Sequence, residues 1–398
     1  MTSSHPALEP DLRLLHITTV PMSLGFLRGQ VDFMIARGFK VHAISSPGYE
    51  LQEFGKRHCV IVHAVKMERR IAPARDLVAL WRIATVIRKY RPHVIHAHTP
   101  KGGLLGMLAA KLTGVPVRLY HMRGLPLMTA SGLKRVLLRW AEIVSCGCAQ
   151  TVLCNSESIR QVAIGEAICR PEKIRVLQSG SGQGVDATTR FNPERIDRNT
   201  KLHTRSRCGI PDGARVLGFV GRIVRDKGIV ELAAAWAQVR ERFSDLHLLL
   251  VGPFEEQDPI PQPIRRQFET DPRVHLIGAD WNTPPLYSIM DLVTLPTYRE
   301  GFPNVPLEAA AMTVPVVATR VPGCVEAVVS GITGMLVPPR DPSALAQAIT
   351  RYLEDSQLRR EHGIAGRQRV LLNFRPEDIW AAMYEEYRRL LFLHMPQS

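Results

Sequence analysis

"RVLGFVGRIVRDKGIVELAAAWAQVRERFSDLHLLLVGP", Arg215–Pro253, decides the fold. It opens on an apolar run, "RVLGFVGR", passes through a charged loop into the helical stretch "GIVELAAAWAQVRERF", and returns to a second apolar run, "HLLLVGP". The apolar runs are continuous, not alternating, which is the pattern of parallel strands covered on both faces by helices. The same rhythm continues through "RVHLIG", "DLVTLP", "VPVVAT" and "GMLVPP". It also precedes the stretch, in "RLLHITTV", "KVHAISS", "VIHAH", "VRLYHM" and "TVLCNS", with helices such as "DLVALWRIATVIRKY" and "GLLGMLAAKLTG" between them. Two α/β blocks fit the length better than one large sheet. The polar stretch 187–212 has no clear period and marks the break. The expected organisation is a first domain over 1–190, a linker over 191–212, a second domain over 213–375, and a C-terminal helix over 376–398. That helix opens with Pro376 and Glu377 in its first turn and is expected to pack back toward the first domain.

The chain has 398 residues, 45% hydrophobic and 22% charged, a globular composition. No run approaches the ~20 apolar residues of a membrane span. The start, "MTSSHPALEPDLRLLHITTV", lacks a basic head and apolar core, so no secretory signal is expected. Seven cysteines without zinc-type spacing point to reduced thiols in the cytosol, with Cys146 and Cys148 serving in packing. Residues 1–190 hold 26 Lys and Arg against 12 Asp and Glu, so the whole net charge of +14 lies in that half. Such a field implies an anionic partner: nucleic acid, anionic lipid or a phosphorylated acceptor. The segment "GLKRVLLRWAEIVSCG" from Gly132 sets Lys134, Arg135 and Arg139 beside Leu133, Leu137, Leu138 and Trp140. It reads equally as a helix lying on an anionic membrane or as a core helix with a solvated face.

Chemistry concentrates in "EGFPNVPLE", Glu300–Glu308. Glu300 falls on the exit loop of the strand "DLVTLP". Pro306 suits the first positions of a helix, which puts Glu308 in the first helical turn. Both carboxylates then face one cleft at the C-terminal edge of a parallel sheet, where open α/β folds bind ligands. Backbone N–H groups around Asn304 and Val305 would point at an anion. Carboxylates accept hydrogen bonds from vicinal hydroxyls, which suits a sugar and a ribose. For Glu308 a plain acid near a helix N-terminus is the competing reading. Lys101, Gly102 and Gly103 follow a strand and open a helix, either an anion cradle or an ordinary turn. His96 and His98 in "IHAHTP" lack a Cys or carboxylate partner at useful spacing, so they read as a strand-end pair and not a metal site, with His98 lining the cleft.

These segments resemble the signature of glycosyltransferase family 4, retaining enzymes of the GT-B fold. "EGFPNVPLE" looks like the family's paired-glutamate motif. "FVGRIVRDKGIVEL", Phe219–Leu232, is similar to the first strand and loop of its C-terminal domain, and "GSGQGVD", Gly180–Asp186, to the segment before its linker, with Gln183 where the family usually has Asn. "HTPKGGLLGMLAAKLTGVPVRLYHMRGLP", His98–Pro126, resembles a bacterial branch that transfers sugars to polyprenyl-diphosphate-linked saccharides for capsule, O-antigen, exopolysaccharide or glycoprotein glycan assembly. Two departures stand out. Arg123 occupies the place where many members carry His, with His121 two residues earlier, and "PMSLGFLRGQ" offers only Gly25 and Gly29 for the usual Gly-Gly loop.

The resemblance implies two Rossmann-like, doubly wound parallel-sheet domains facing across a cleft, an acceptor domain first and a nucleotide-sugar domain second. It implies that Arg222 and Lys227 grip the donor diphosphate and that Glu300 orients the donor sugar. Donor contacts are expected at Gly221, Gly301, Phe302, Asn304, Val305 and Glu308, and acceptor contacts at His98, Lys101, Gly102, His121 and Arg123. Either Arg123 binds acceptor phosphate, the preferred reading, or His121 touches the transferred sugar. Fixed cations stabilise a diphosphate leaving group where its charge develops. Arg222 supplies a planar fork and Lys227 a point charge. No Asp-x-Asp occurs in the chain, so no metal or other cofactor is expected. The expected partners are a UDP-linked sugar, a polyprenyl-diphosphate-linked acceptor and an anionic membrane surface, on the cytoplasmic face of the inner membrane. A UDP-sugar epimerase of the same fold is the nearest rival. A non-catalytic nucleic-acid binder fits the pI of 9.8, but no recognised motif appears and aromatics are only 6%. A dehydrogenase is disfavoured by the absence of Gly-x-Gly-x-x-Gly after a first strand.

Overall fold

The computed structural model describes residues 12–395. The first residues, read above for a secretory signal, and the last three of the stretch 376–398 lie outside them. The chain divides into two compact units, one running to Gln183 and resuming at Pro376, the other Gly184–Arg375.

The first unit holds β1 Leu12–Ile17, β2 Phe39–Ser45, β3 Ile61–Ala64, β4 Val94–His98, β5 Val117–Met122, β6 Thr151–Cys154 and β7 Ile174–Val176. They form one parallel sheet in the order β3-β2-β1-β4-β5-β6-β7. The second unit holds β8 Arg215–Val220, β9 Leu246–Val251, β10 Val274–Gly278, β11 Leu292–Leu295, β12 Val316–Thr319 and β13 Gly334–Val337. They too are parallel, in the order β10-β9-β8-β11-β12-β13. Strand order reverses once in each sheet, between β1 and β4 and between β8 and β11. Loops leaving the C-terminal ends of these pairs diverge to opposite faces and open a crevice there. β8 is buried at every position after Arg215 and β11 throughout, the burial that their unbroken apolar runs require.

The expected linker over 191–212 is corrected. The division falls at Gln183, and the stretch carries a 3-10 turn, Pro193–Arg195, and a helix, Arg198–Cys208, within the second unit. Asp197 caps that helix by accepting from the Thr200 amide at 2.7 Å, and Gly209 ends it in the left-handed conformation. Its polarity hid it, since it buries only Thr204 and Cys208. The C-terminal helix Pro376–His394 belongs to the first unit, where Tyr387, Met383 and Leu390 join the core beneath β1, β4 and β5. All seven cysteines are free thiols, and only Cys59 is exposed. Among the described residues no helix is long and apolar enough to cross a membrane.

Candidate active site

In the second unit the crevice between β8 and β11 gathers the charged residues. After β8 the chain makes a 3-10 turn, Arg225–Lys227, and enters the helix Ile229–Arg242 through Gly228. Gly228 has φ +70°, and a Cβ there would stand 1.9 Å from the Pro296 carbonyl oxygen. The turn can therefore lie against the loop leaving β11 only as glycine. The contact is tied by several bonds. The Asp226 carbonyl accepts from the Tyr298 amide at 2.9 Å and from the Thr297 hydroxyl at 3.1 Å. The Asp226 carboxylate pairs with Arg299 at 2.7 Å. The Tyr298 hydroxyl donates to Glu231 at 2.7–2.8 Å. The outcome is a direct ion pair between Lys227 and Glu300, both side chains largely buried.

Two residues expected to act together, 73 apart in sequence, are thus joined. Asp226, Arg299, Tyr298 and Glu231, which brace them, were not picked out. Their only trace in the sequence is the charge density of "RDKG" and "YREG". Arg222 lies on the same loop, paired with Glu255 at 2.8 Å and partly exposed, so its guanidinium is steadied by a carboxylate other than Glu300. Gly221 precedes it at φ +146°, and its amide donates to the Val251 carbonyl at 2.9 Å.

Glu308 requires a correction. The helix is Asn304–Ala311, with no acid in its first turn, so Glu308 stands one turn further in, away from the helix-terminal charge. It accepts a hydrogen bond from the Tyr287 hydroxyl at 2.9 Å, and burial raises its pKa against the opposing effects of that bond and of Arg190. The two glutamates are held by different partners. Phe302, expected at the donor, turns its ring into the core against Phe374, 5.5 Å between centroids, so any donor contact there is through backbone. Asn304 and Val305 form the first helical turn and are partly exposed, and Gly301 is approached by the loop bearing Gly323.

In the first unit the crevice between β1 and β4 carries histidines. His16 on β1 pairs in register with His96 on β4, and His98 on β4 with His121 on β5. All four are buried. The Arg123 Nε–H donates to His98 Nδ1 at 3.4 Å, which leaves the His98 proton on Nε2 to donate to His16 Nδ1 at 3.1 Å. His121 Nε2 donates to Asn155 Oδ1 at 2.7 Å, and His96 Nδ1 meets the Tyr387 hydroxyl at 2.6 Å. Burial first, then the charge of Arg123, pushes His16 down to about 3. His96, His98 and His121 are likewise lowered well below the usual imidazole range, burial being the main cause. Arg123 itself is lowered by burial to about 10 and stays cationic at neutral pH. It lies over the Phe26 ring at 4.9 Å, and its Nη2 is buried with no hydrogen-bond partner. Ring nitrogens of His16, His96 and His98 lie within 4.8 Å of one another, a spacing that suits metal ligands, but the adjoining guanidinium raises the cost of a cation there.

At the acceptor cradle expected at Lys101 and Gly102, both polar groups already have partners within the chain. The Lys101 ammonium is held by both Asp76 oxygens, at 2.8 and 3.0 Å, and by the Arg70 carbonyl. The Gly102 amide donates to the Thr19 hydroxyl at 2.8 Å. A Cβ at Gly103 would meet the Tyr120 ring at 2.2 Å. The glycines let the helix Pro100–Leu112 pack closely on the sheet, chiefly on β4 and β5.

Residues 26–180 match the family model described as a glycosyl transferase 4-like domain, and residues 214–355 the model of glycosyl transferases group 1. Over 379 residues the chain is 34% identical to the capsular polysaccharide biosynthesis glycosyltransferase CapM of Staphylococcus aureus, covering 95% of this chain and 97% of that one. The chain belongs to the family 4 glycosyltransferases. A second member is 23% identical over 90% of this chain and 91% of its own, the UDP-Gal:α-D-GlcNAc-diphosphoundecaprenol α-1,3-galactosyltransferase of Escherichia coli. The two parallel-sheet domains match GT-B structures such as Anabaena HepE in complex with UDP-glucose, at TM-score 0.78 and 20% identity, covering 95% of this chain and all of that one. As a family 4 glycosyltransferase of the GT-B fold, the chain carries the Lys227–Glu300 pair in its group 1 domain and the histidine–Arg123 network in its 4-like domain.

Proposed function

We propose that this glycosyltransferase moves a sugar, with retention at the anomeric carbon, from a UDP-linked donor to a lipid-diphosphate-linked saccharide in surface polysaccharide assembly. The observation that carries the reading is the largely buried Lys227–Glu300 pair at the β8–β11 crevice, braced by Asp226, Arg299 and Tyr298. A diphosphate entering beside Lys227 meets a cation already oriented, so its growing charge is stabilised without reorganisation. Arg222 adds a second fixed cation. Glu300 accepts from a hydroxyl of the donor sugar, and Glu308, one oxygen held by Tyr287, offers the other to the ribose. The acceptor oxygen attacks the anomeric carbon from the face the diphosphate leaves. The C1–O bond to phosphate breaks, the new glycosidic bond forms, and the departing phosphate takes the acceptor proton. Lys227 and Arg222 are the cations that support a metal-free reading.

Arg123 is the proposed contact for the acceptor diphosphate. Its guanidinium is largely buried beside neutral imidazoles, so an anion is the complement it calls for. The relatives support this choice of substrates: one is named for UDP-Gal and a diphosphoundecaprenol-linked sugar, and another for capsular polysaccharide. The proposed location is the cytoplasmic face of the inner membrane, in peripheral association with anionic lipid.

The test is incubation with a panel of UDP-sugars and an undecaprenyl-diphosphate saccharide in the presence of chelator, read by mass spectrometry. One added sugar, retained in anomeric configuration by NMR, is the expected product. Isomerised sugar from donor alone would point to the epimerase, and loss of turnover on chelation would remove the metal-free mechanism. Arg123→Gln is expected to raise the acceptor KM roughly 10- to 100-fold, the scale of a charge-assisted hydrogen bond, with UDP affinity unchanged. An unaltered acceptor KM would move the acceptor phosphate elsewhere.

A further inference from the structure

The outer surface of the first unit exposes large apolar side chains on two helices that both pack against Pro100–Leu112. On Gly132–Cys148 these are Leu133, Val136, Leu137 and Trp140, spaced i, i+3, i+4, i+7, so they form one stripe along the helix. Leu133 is 73% exposed and Trp140 58%. On Pro73–Tyr90 they are Leu77, Val78 and Trp81, the last 66% exposed, although the sequence of that helix reads as an ordinary covered element. Leu112, at the end of the intervening helix, is exposed as well. Apolar surface on this scale marks a face that something covers.

The charges around it say what covers it. Arg82, Lys111 and Lys134 are exposed among these side chains. The nearby acids are already engaged: Asp76 by Lys101, Glu68 by Arg75 at 3.0 Å, and Glu166 by Arg135 at 2.6 Å. The face is therefore apolar with a cationic surround, in the half of the chain that carries the whole excess of positive charge. Tryptophans that are apolar in body with one N–H donor are the side chains best suited to the boundary between lipid headgroups and acyl chains. We propose that this two-helix face, with Trp81 and Trp140 as its anchors, docks the chain on an anionic lipid bilayer. The proposal deepens the membrane association offered above and rests on it. It adds a second helix and the residues that enter the lipid.

The experiment is flotation with vesicles of phosphatidylcholine containing one-third phosphatidylglycerol, alongside vesicles of phosphatidylcholine alone. Wild-type protein is expected to float with the anionic vesicles, less so at high salt, and to float poorly with neutral ones. Trp81→Ser/Trp140→Ser is expected to lower partitioning at least tenfold, and Arg82→Glu/Lys134→Glu to do the same at low salt, with thermal unfolding unchanged in both. All four side chains are exposed, so neither variant opens the core. Equal flotation of wild type and both variants would overturn the proposal, as would no flotation of wild type. So would a wild-type dimer that the tryptophan variant converts to monomer, which would make the face a contact between copies. UDP binding by calorimetry is measured in parallel: its absence would overturn the donor site and leave the docking result standing.

Discussion

Lys227→Ala is expected to slow transfer at subsaturating donor by roughly 2–4 kcal/mol, the scale of removing one preorganised electrostatic stabiliser. The estimate follows from how the ammonium is held. The turn Arg225–Lys227 is fixed against the β11 loop through the Asp226 carbonyl, the Asp226–Arg299 pair and the close approach that Gly228 allows, so the cation stands ready before any ligand arrives. Alanine at 227 also leaves the Glu300 carboxylate, only 13% exposed, without its counter-charge. Glu300→Gln keeps the hydrogen-bonding shape and removes the repulsive half of that problem. The double variant Lys227→Ala/Glu300→Gln is therefore expected to be no slower than Lys227→Ala alone, a non-additive result that reports direct coupling. The measurement is kcat/KM for donor in all three variants. Wild-type turnover by Lys227→Ala under subsaturating donor would place the diphosphate elsewhere, and additive losses would separate the two residues.

Acid is expected to destabilise the first unit at a pH where most proteins still hold. His16, His96, His98 and His121 are neutral in the folded chain, with pKa values pushed below the ordinary 6.5, His16 to about 3. The unfolded chain binds protons on these residues once the pH passes below 6.5, while the folded chain does not. A lowered histidine pKa thus contributes full stability above 6.5 and loses it progressively toward the folded pKa. Each such histidine costs about 1.4 kcal/mol per pH unit within that window. By pH 5 the loss from His16, whose folded pKa is about 3, is roughly 2 kcal/mol, and His96, His98 and His121 add losses in the same direction. Thermal unfolding between pH 5 and 7.5 tests this, with Glu142 of the same unit, its carboxyl pushed by burial up to about 7, contributing the opposite slope in that range. A pH dependence that His98→Asn leaves unchanged would mean that His98 takes up its proton when folded. His98→Asn is expected to flatten the dependence, since it removes one of the groups that unfolding protonates.

The histidine network also shows why some of the site was not legible beforehand. His96 and His98 stood out because they are adjacent along one strand, and they read as a pair with no further ligand. His16 is 82 residues from His98, and nothing local marks it as their neighbour. Its place follows from the register of β1 on β4, which pairs His16 with His96. Lys101 and Gly102 differ in the opposite sense. Their local pattern is that of an anion cradle, yet Asp76, on the preceding helix, and Thr19, in the loop after β1, had already taken the charge and the amide. A motif shows which groups are present and not which of them remain available. Phe302 is a similar case, a motif residue whose ring fills the core.

What the sequence determined by itself was the set of elements and their class. Continuous apolar runs such as "HLLLVGP", separated by helices, admit parallel sheets and little else, because burial on both faces is written locally in each segment. The pairing of glutamates in "EGFPNVPLE" and the cations of "GRIVRDKG" were legible for the same reason: each lies within a few residues. The tertiary structure decided which charges meet. It joined Lys227 to Glu300, withdrew Lys101 into an ion pair, set Arg123 over Phe26 beside neutral histidines, and left Trp81 and Trp140 in the open. Those outcomes depend on partners 25 to 97 residues away, brought together by strand order and register, and Coulombic and packing energies are set by distance in space and not by separation along the chain.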